Sequence, residues 1–116
     1  MNTLFIVNEA PYGNERLYNA LRLGLALAKS ADDRITVFLM ADAVGGARRD
    51  QKTPEGYYNI ERMLHRLIAS GGQVLLCGTC MDARGMTGED MMEGARRSTM
   101  DELAAATVSA DKVLVF

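Results

Sequence analysis

The residues best equipped for chemistry stand together in Cys77-Gly78-Thr79-Cys80-Met81-Asp82-Ala83-Arg84-Gly85. Both cysteines of the chain are here. A thiol reacts as its thiolate, and a nearby cation or helix N-terminus raises the thiolate population. Arg84 is the candidate cation. Backbone amides at Gly78 and Thr79, and the N-terminus of any helix after Gly85, are further donors, while Asp82 opposes them. A persulfide on Cys77 would be an anion needing the same donors. Cys80, three residues on, is placed to resolve an oxidised Cys77 by forming a disulfide.

Other chemistries compete for the same pair. A C-x-x-C motif supplies two of zinc's usual four ligands, and no second pair exists in the chain, so no metal is expected. A thioredoxin-type motif follows the first strand of its βαβ unit and begins a helix. Here the pair follows the third predicted strand, and Met81-Asp82-Ala83-Arg84-Gly85 does not read as a helix start. A buried, inert Cys77 is the plain alternative, because free cysteines are commonly packed. The loop alone leaves thiol chemistry and inert packing both open.

The surrounding elements must hold this loop at the end of a strand. Val74-Leu75-Leu76, entered from Gly71-Gly72 and left through Gly78, is the short continuous apolar run of a strand covered on both faces. The cysteines at its end are therefore expected to be displayed. Thr3–Val7, Arg34–Met40 and Val113–Phe116 read as three more strands of the same kind. A helix is expected from Asn14, as N-cap, to about Lys29, with Leu17, Leu21, Gly24, Leu25 and Ala28 on one face. Leu23 and Leu27 lie off that face, so its apolar surface is wide enough to be shared with another subunit. A second helix is expected over Glu55–Ser70, where Ile60, Met63, Leu64, Leu67 and Ile68 recur at helical spacing. Thr99 and Glu102 match a capping box ahead of a third helix, and a short one is expected around Glu89–Met92. The polar stretch Asp42–Pro54 reads as a mobile surface loop.

Strands alternating with helices predict one domain over residues 1–116, a three-layer α/β/α fold with a mostly parallel central sheet. In such sheets ligands collect outside the carboxyl ends of the strands. Cys77 lies at such an end, framed by Tyr12 and by Arg48 or Arg49 from the loops after the first two strands. His65, the single histidine, falls on a polar helix face with Glu61 and Arg62. The eight methionines suit packing or an interface.

Composition excludes several classes. Thirteen basic and fifteen acidic residues are interspersed, with a net charge of −2, so no basic stripe for nucleic acid is read. No apolar run approaches the ~20 residues of a membrane span. The Met1–Val7 start lacks the basic opening of a signal peptide, so a cytoplasmic location is expected. No phosphate loop, dinucleotide fingerprint, serine triad or carboxylate cluster is present, and no cofactor is expected.

Four stretches in order carry a likeness: Ala10-Pro-Tyr-Gly13, Leu39-Met-Ala-Asp-Ala-Val44, Cys77–Gly85 and Ser109-Ala-Asp-Lys-Val-Leu-Val-Phe116. Together they resemble the DsrE/DsrF-like family of small sulfur-relay proteins, most nearly its YchN-like branch with two cysteines. The resemblance implies homotrimers or hexamers, sulfur held as a persulfide on Cys77, and exchange with a small sulfur-carrier protein. Cys80 has no counterpart in the single-cysteine relay subunits. A thiol-redox variant is the alternative that this residue brings, and a non-catalytic assembly or regulatory subunit is the one that the broad apolar helix and the methionines bring.

Overall fold

A computed structural model describes residues 1–116. Five strands, β1 (Asn2–Val7), β2 (Arg34–Leu39), β3 (Gln73–Cys77), β4 (Ala95–Ser98) and β5 (Lys112–Val115), form one sheet in the order β4-β3-β2-β1-β5. Every pairing is parallel. The helices are α1 (Arg16–Leu27), α2 (Ile60–Ala69), α3 (Gly78–Ala83) and α4 (Met100–Ser109). None is long and apolar enough to cross a membrane. The α/β fold with a mostly parallel sheet is as the sequence predicts, and the sheet is parallel throughout.

Right-handed crossovers put the connections through α1 and α2 on one face and the return through α4 on the other. The in-register set Phe5, Val37, Val74 and Leu114 shares the first face. Gly24 of α1 lies directly over Ile35 and Phe5 there. Leu4, Phe38 and Leu75 occupy the opposite face, where α4 contributes the buried Leu103. Adjacent positions of β1 to β3 are therefore both buried, which explains their continuous apolar runs.

Strand β4 is absent from the sequence reading because Ala95-Arg-Arg-Ser98 has no apolar pattern. It is an edge strand whose alternation aims its two arginines to opposite sides. Arg96 binds Glu102 of α4 through paired hydrogen bonds of 3.0 and 2.8 Å, and Arg97 reaches α3. Thr99 caps α4 by accepting from the Glu102 amide at 3.1 Å. The capping box is only half made, because the Glu102 carboxylate is taken by Arg96 and Ser98. The expected helix around Glu89–Met92 is a single 3-10 turn, Gly88–Asp90, capped by Thr87.

Two further boundaries move. Helix α2 begins at Ile60 rather than Glu55, because Gly56 takes a positive φ of 86° and Asn59 supplies the cap, accepting from the Arg62 amide at 3.0 Å. The stretch read as a mobile loop is instead anchored. Ala41–Ala47 forms a 3-10 helix with Ala43, Val44, Gly46 and Ala47 buried. Its continuation is tied down by Gln51 to the carbonyls of Gly46 and Arg48, both at 2.8 Å, and by Glu61 to the amides of Asp50 and Gln51. Polar composition hid a small-residue segment that fills the gap between α1 and α2.

Delivery of β3 depends on Gly72. A Cβ there would stand 2.9 Å from Leu67 Cγ, 3.0 Å from the Leu67 carbonyl oxygen and 3.2 Å from that of Ile35. Backbone oxygens of a helix end and a central strand cannot step aside. Gly72→Ala should therefore lower unfolding free energy by roughly 1–3 kcal/mol in urea titration. Gly88→Ala, where a Cβ meets nothing within 4 Å, should stay within about 0.5 kcal/mol of wild type. Equal midpoints for the two variants would refute the close-approach argument.

Candidate functional site at the end of β3

Cys77 is both the last residue of β3 and the N-cap of α3. Its Sγ accepts the Cys80 amide at 3.3 Å, doing what a serine or aspartate oxygen commonly does at this position. Thr79 Oγ1 lies 3.4 Å from the same sulfur. The Cα atoms of Cys77 and Cys80 are 5.2 Å apart, within the ~4.4–6.8 Å that a disulfide spans, and the pair is joined as a disulfide. Cys80 Sγ also accepts the amide of Ala41, from the segment after β2, at 3.2 Å.

This geometry corrects two expectations. The C-x-x-C pair does begin a helix, because Cys77 provides the cap, and a sulfur cap was not among the signals read from the sequence. Cys77 is also not displayed: it is 7% exposed, and Cys80 is the more open of the two. The strand's end is roofed by Arg97, whose guanidinium lies across Gly78. A Cβ at Gly78 would fall 2.7–3.0 Å from Arg97 Nε, Cζ and Nη2.

Arg84 is not the cation beside Cys77. Its Nε and Nη2 bind Asp42 Oδ1 at 3.0 and 2.9 Å, and Nη1 donates to the Cys80 carbonyl at 3.1 Å. It therefore ties the end of α3 to the segment after β2. Asp82 finds its counter-ion in Arg97, through two parallel hydrogen bonds of 2.9 and 2.8 Å. The Arg97 hydrogen bonds hold the Asp82 carboxyl below its ordinary value of 3.8. Arg97 is thus the site residue that sequence reasoning missed, and its signal was hidden with that of β4.

Tyr12 sits elsewhere. Its hydroxyl accepts the Ile60 amide at 3.0 Å and donates to Gln51 Oε1, and its ring stacks on Tyr58 at 5.7 Å. It braces the start of α2. Arg49 donates to the Met91 carbonyl at 3.1 and 2.9 Å, and Arg48 pairs with Met91 in an antiparallel bridge. These arginines hold the loop before β4 instead of framing the sulfurs. Gly78 lies under the Arg97 guanidinium, and Thr79 Oγ1 faces Cys77 Sγ. His65 lies on an exposed helix face with Glu61 at 3.9 Å.

The family model described as the DsrE/DsrF-like family matches residues 1–116. The chain belongs to the DsrE/DsrF-like family. It is 46% identical over 114 residues to protein YchN of Escherichia coli strain K12, covering 97% of each chain. It is 38% identical to the uncharacterized protein MJ0989 of Methanocaldococcus jannaschii over the full length of both. The crystal structure of the E. coli ychN protein superposes with a TM-score of 0.92 at 47% identity over all of both chains. A protein of unknown function, MTH1491 from Methanobacterium thermoautotrophicum, superposes with a TM-score of 0.78 at 19% identity, a likeness of fold.

The Asp82–Arg97 pair gives a pH test of how α3 is fastened. With the folded carboxyl lowered, the pair's contribution is present above the ordinary value of 3.8 and is lost as pH falls through the lower folded value. Carboxyl NMR across an acid titration should place the Asp82 midpoint below 3.8, and Arg97→Gln should raise it. A midpoint unmoved by Arg97→Gln would remove this arginine as the cause.

Proposed function

We propose that the protein carries sulfane sulfur as a persulfide on Cys77, in a cytoplasmic sulfur relay of the kind linked to its family. The observation that supports this most is the setting of Cys77 Sγ, which receives the Cys80 amide and lies 3.4 Å from Thr79 Oγ1 while Cys80 Sγ lies within bonding reach. Hydrogen bonds to a charged sulfur are stronger than those to a neutral one, so the Cys80 amide favours the Cys77 thiolate that attacks the donor.

The steps balance without a further oxidant. The Cys77 thiolate attacks the outer sulfur of a donor persulfide; that donor's S–S bond breaks and the donor leaves as a thiolate. An acceptor thiolate, such as one on a small sulfur-carrier protein, then attacks the outer sulfur on Cys77 and returns Cys77 as a thiolate. If no acceptor arrives, the Cys80 thiolate attacks Cys77 Sγ. A Cys77–Cys80 disulfide forms and hydrosulfide leaves. An external thiol must reduce that disulfide before another cycle. Cys80 therefore sets a lifetime on the stored sulfur.

A second reading is a dithiol–disulfide redox protein without stored sulfur, and the disulfide itself favours it. Incubating reduced protein with a sulfane donor and measuring intact mass separates the two. Cys80→Ser should retain one added sulfur atom, wild type should lose it with release of sulfide and formation of the disulfide, and Cys77→Ser should gain none. No added sulfur on Cys80→Ser, with the disulfide still formed by wild type, would leave only the redox reading.

Assembly into homotrimers or hexamers belongs to the same proposal. Its support is apolar surface left open by one chain: Val113 and Val115 on the edge strand β5, Val108 on α4 at 87% exposure, and Leu23 on α1. Such a patch and an unpaired strand edge call for a covering surface. Light scattering at micromolar concentration should give a whole multiple of the 12.7 kDa chain mass. A monomer would refute the assembly.

A further inference from the structure

The parallel helices α1 and α2 enclose a groove of about 660 Å³, lined by neither cysteine. Four cations face it, Arg22 and Lys29 from the α1 side with Arg62 and Arg66 from α2, and no carboxylate lines it. None of the four has an acidic partner within 4.0 Å, a state they share with Arg34, Arg48, Arg49, Lys52 and Lys112. What sets the groove apart is four cations lining one space without a carboxylate, in a chain of net charge −2. Arg62 and Arg66, one helical turn apart, repel each other at a cost to α2. An anion in the groove would reverse that repulsion.

The groove's aromatic residues narrow the class of anion. Tyr12, Tyr58 and Tyr18 form a column with ring centroids 5.7 and 4.1 Å apart, and the Arg22 guanidinium lies over Tyr18 at 5.4 Å. The faces within that column are occupied. Tyr57 is different: it lines the groove, is 72% exposed, and stacks on no other ring. A flat ring on Tyr57 would complete its packing, since ring–ring contact is sequence-tolerant and favourable for any planar base. Arg62 and Arg66, one helical turn apart on α2, line the same groove as Tyr57. Arginine forks suit phosphate oxygens. Leu25, Ala26 and Met63 supply the apolar floor.

We propose that the α1–α2 groove binds a nucleotide-class ligand, its base on Tyr57 and its phosphates on Arg62 and Arg66, with Arg22 and Lys29 contributing to the field. The site is separate from the cysteine chemistry. A Cys77→Ser change should leave it intact, so the two readings can fail independently.

The chain has no tryptophan, and three of its four tyrosines, Tyr18, Tyr57 and Tyr58, line the groove, so tyrosine emission reports largely on it. ADP is the probe, with adenosine and inorganic phosphate as separated halves, followed by tyrosine emission and by calorimetry on the protein in its native assembly. ADP should bind saturably below millimolar concentration, and each half should bind at least about tenfold more weakly. Tyr57→Ala, at an exposed position, should weaken ADP by about tenfold and leave phosphate binding unchanged. The Arg62→Gln, Arg66→Gln double variant should weaken ADP similarly and flatten its salt dependence. Far-UV circular dichroism checks that each variant is folded. The proposal is overturned if ADP gives no saturable signal, if Tyr57→Ala binds it as wild type does, if phosphate binds as tightly as ADP, or if only an RNA oligomer binds.

Discussion

Everything at the sulfur site follows from the confinement of β3. Val74, Leu75 and Leu76 are buried on both faces and the strand is paired along both edges, so the chain can leave it only at its carboxyl end. There Cys77 must end a sheet ladder and start a helix within one residue. The side chain at that position has to satisfy an amide that the sheet no longer serves. Sulfur does so here, and the hydrogen bond that closes the turn also bears on the reactive atom. Gly78 follows, and its bare Cα lets the Arg97 guanidinium, arriving from β4, lie across the turn.

Much of this architecture was legible because burial writes itself into apolar runs. Continuous Leu-Phe-Ile-Val and Val-Leu-Leu segments gave the central strands, and the spacing of Met63, Leu64 and Leu67 gave the face of α2. Where the determinant was a single hydrogen bond or a small-residue fit, the pattern was silent. Nothing in Ala95-Arg-Arg-Ser98 announces a strand, because its stability comes from pairing with β3 and from two arginines clamped to α3 and α4. Asp42–Pro54 looked solvated by composition, yet Ala43, Val44, Gly46 and Ala47 are buried, and Gly46 lies close against Leu17 and Ile60.

The candidate site was legible in its sulfurs and not in its charges. Cys77 and Cys80 were found by spacing alone, since three residues bring their Cα atoms to 5.2 Å once a helical turn forms. The charged residues could not be assigned that way. Arg84 and Asp82 are sequence neighbours with each other and with the thiols, but Arg84 binds Asp42 and Asp82 binds Arg97, partners that only the sheet brings near. Local charge around a motif is a poor guide when each side chain can be claimed by another element. The α1–α2 groove shows the same effect in reverse: cations interspersed with acids along the chain converge, unpaired, when two helices lie side by side.

The cap couples charge on Cys77 to the order of α3. A thiolate on Cys77 draws the Cys80 amide more strongly than a neutral sulfur does, so negative charge there tightens the first turn. Tightening that turn also holds Cys80 Sγ near Cys77 Sγ. The amide that supports a Cys77 thiolate thus belongs to the residue whose own sulfur lies within bonding reach of it. Arg84 and Arg97 fix the frame of this pair, one binding the last turn of α3 to Asp42 and the other binding Asp82 to the sheet edge. Both act on the sulfurs through α3, which one holds at the Cys80 carbonyl and the other at Asp82.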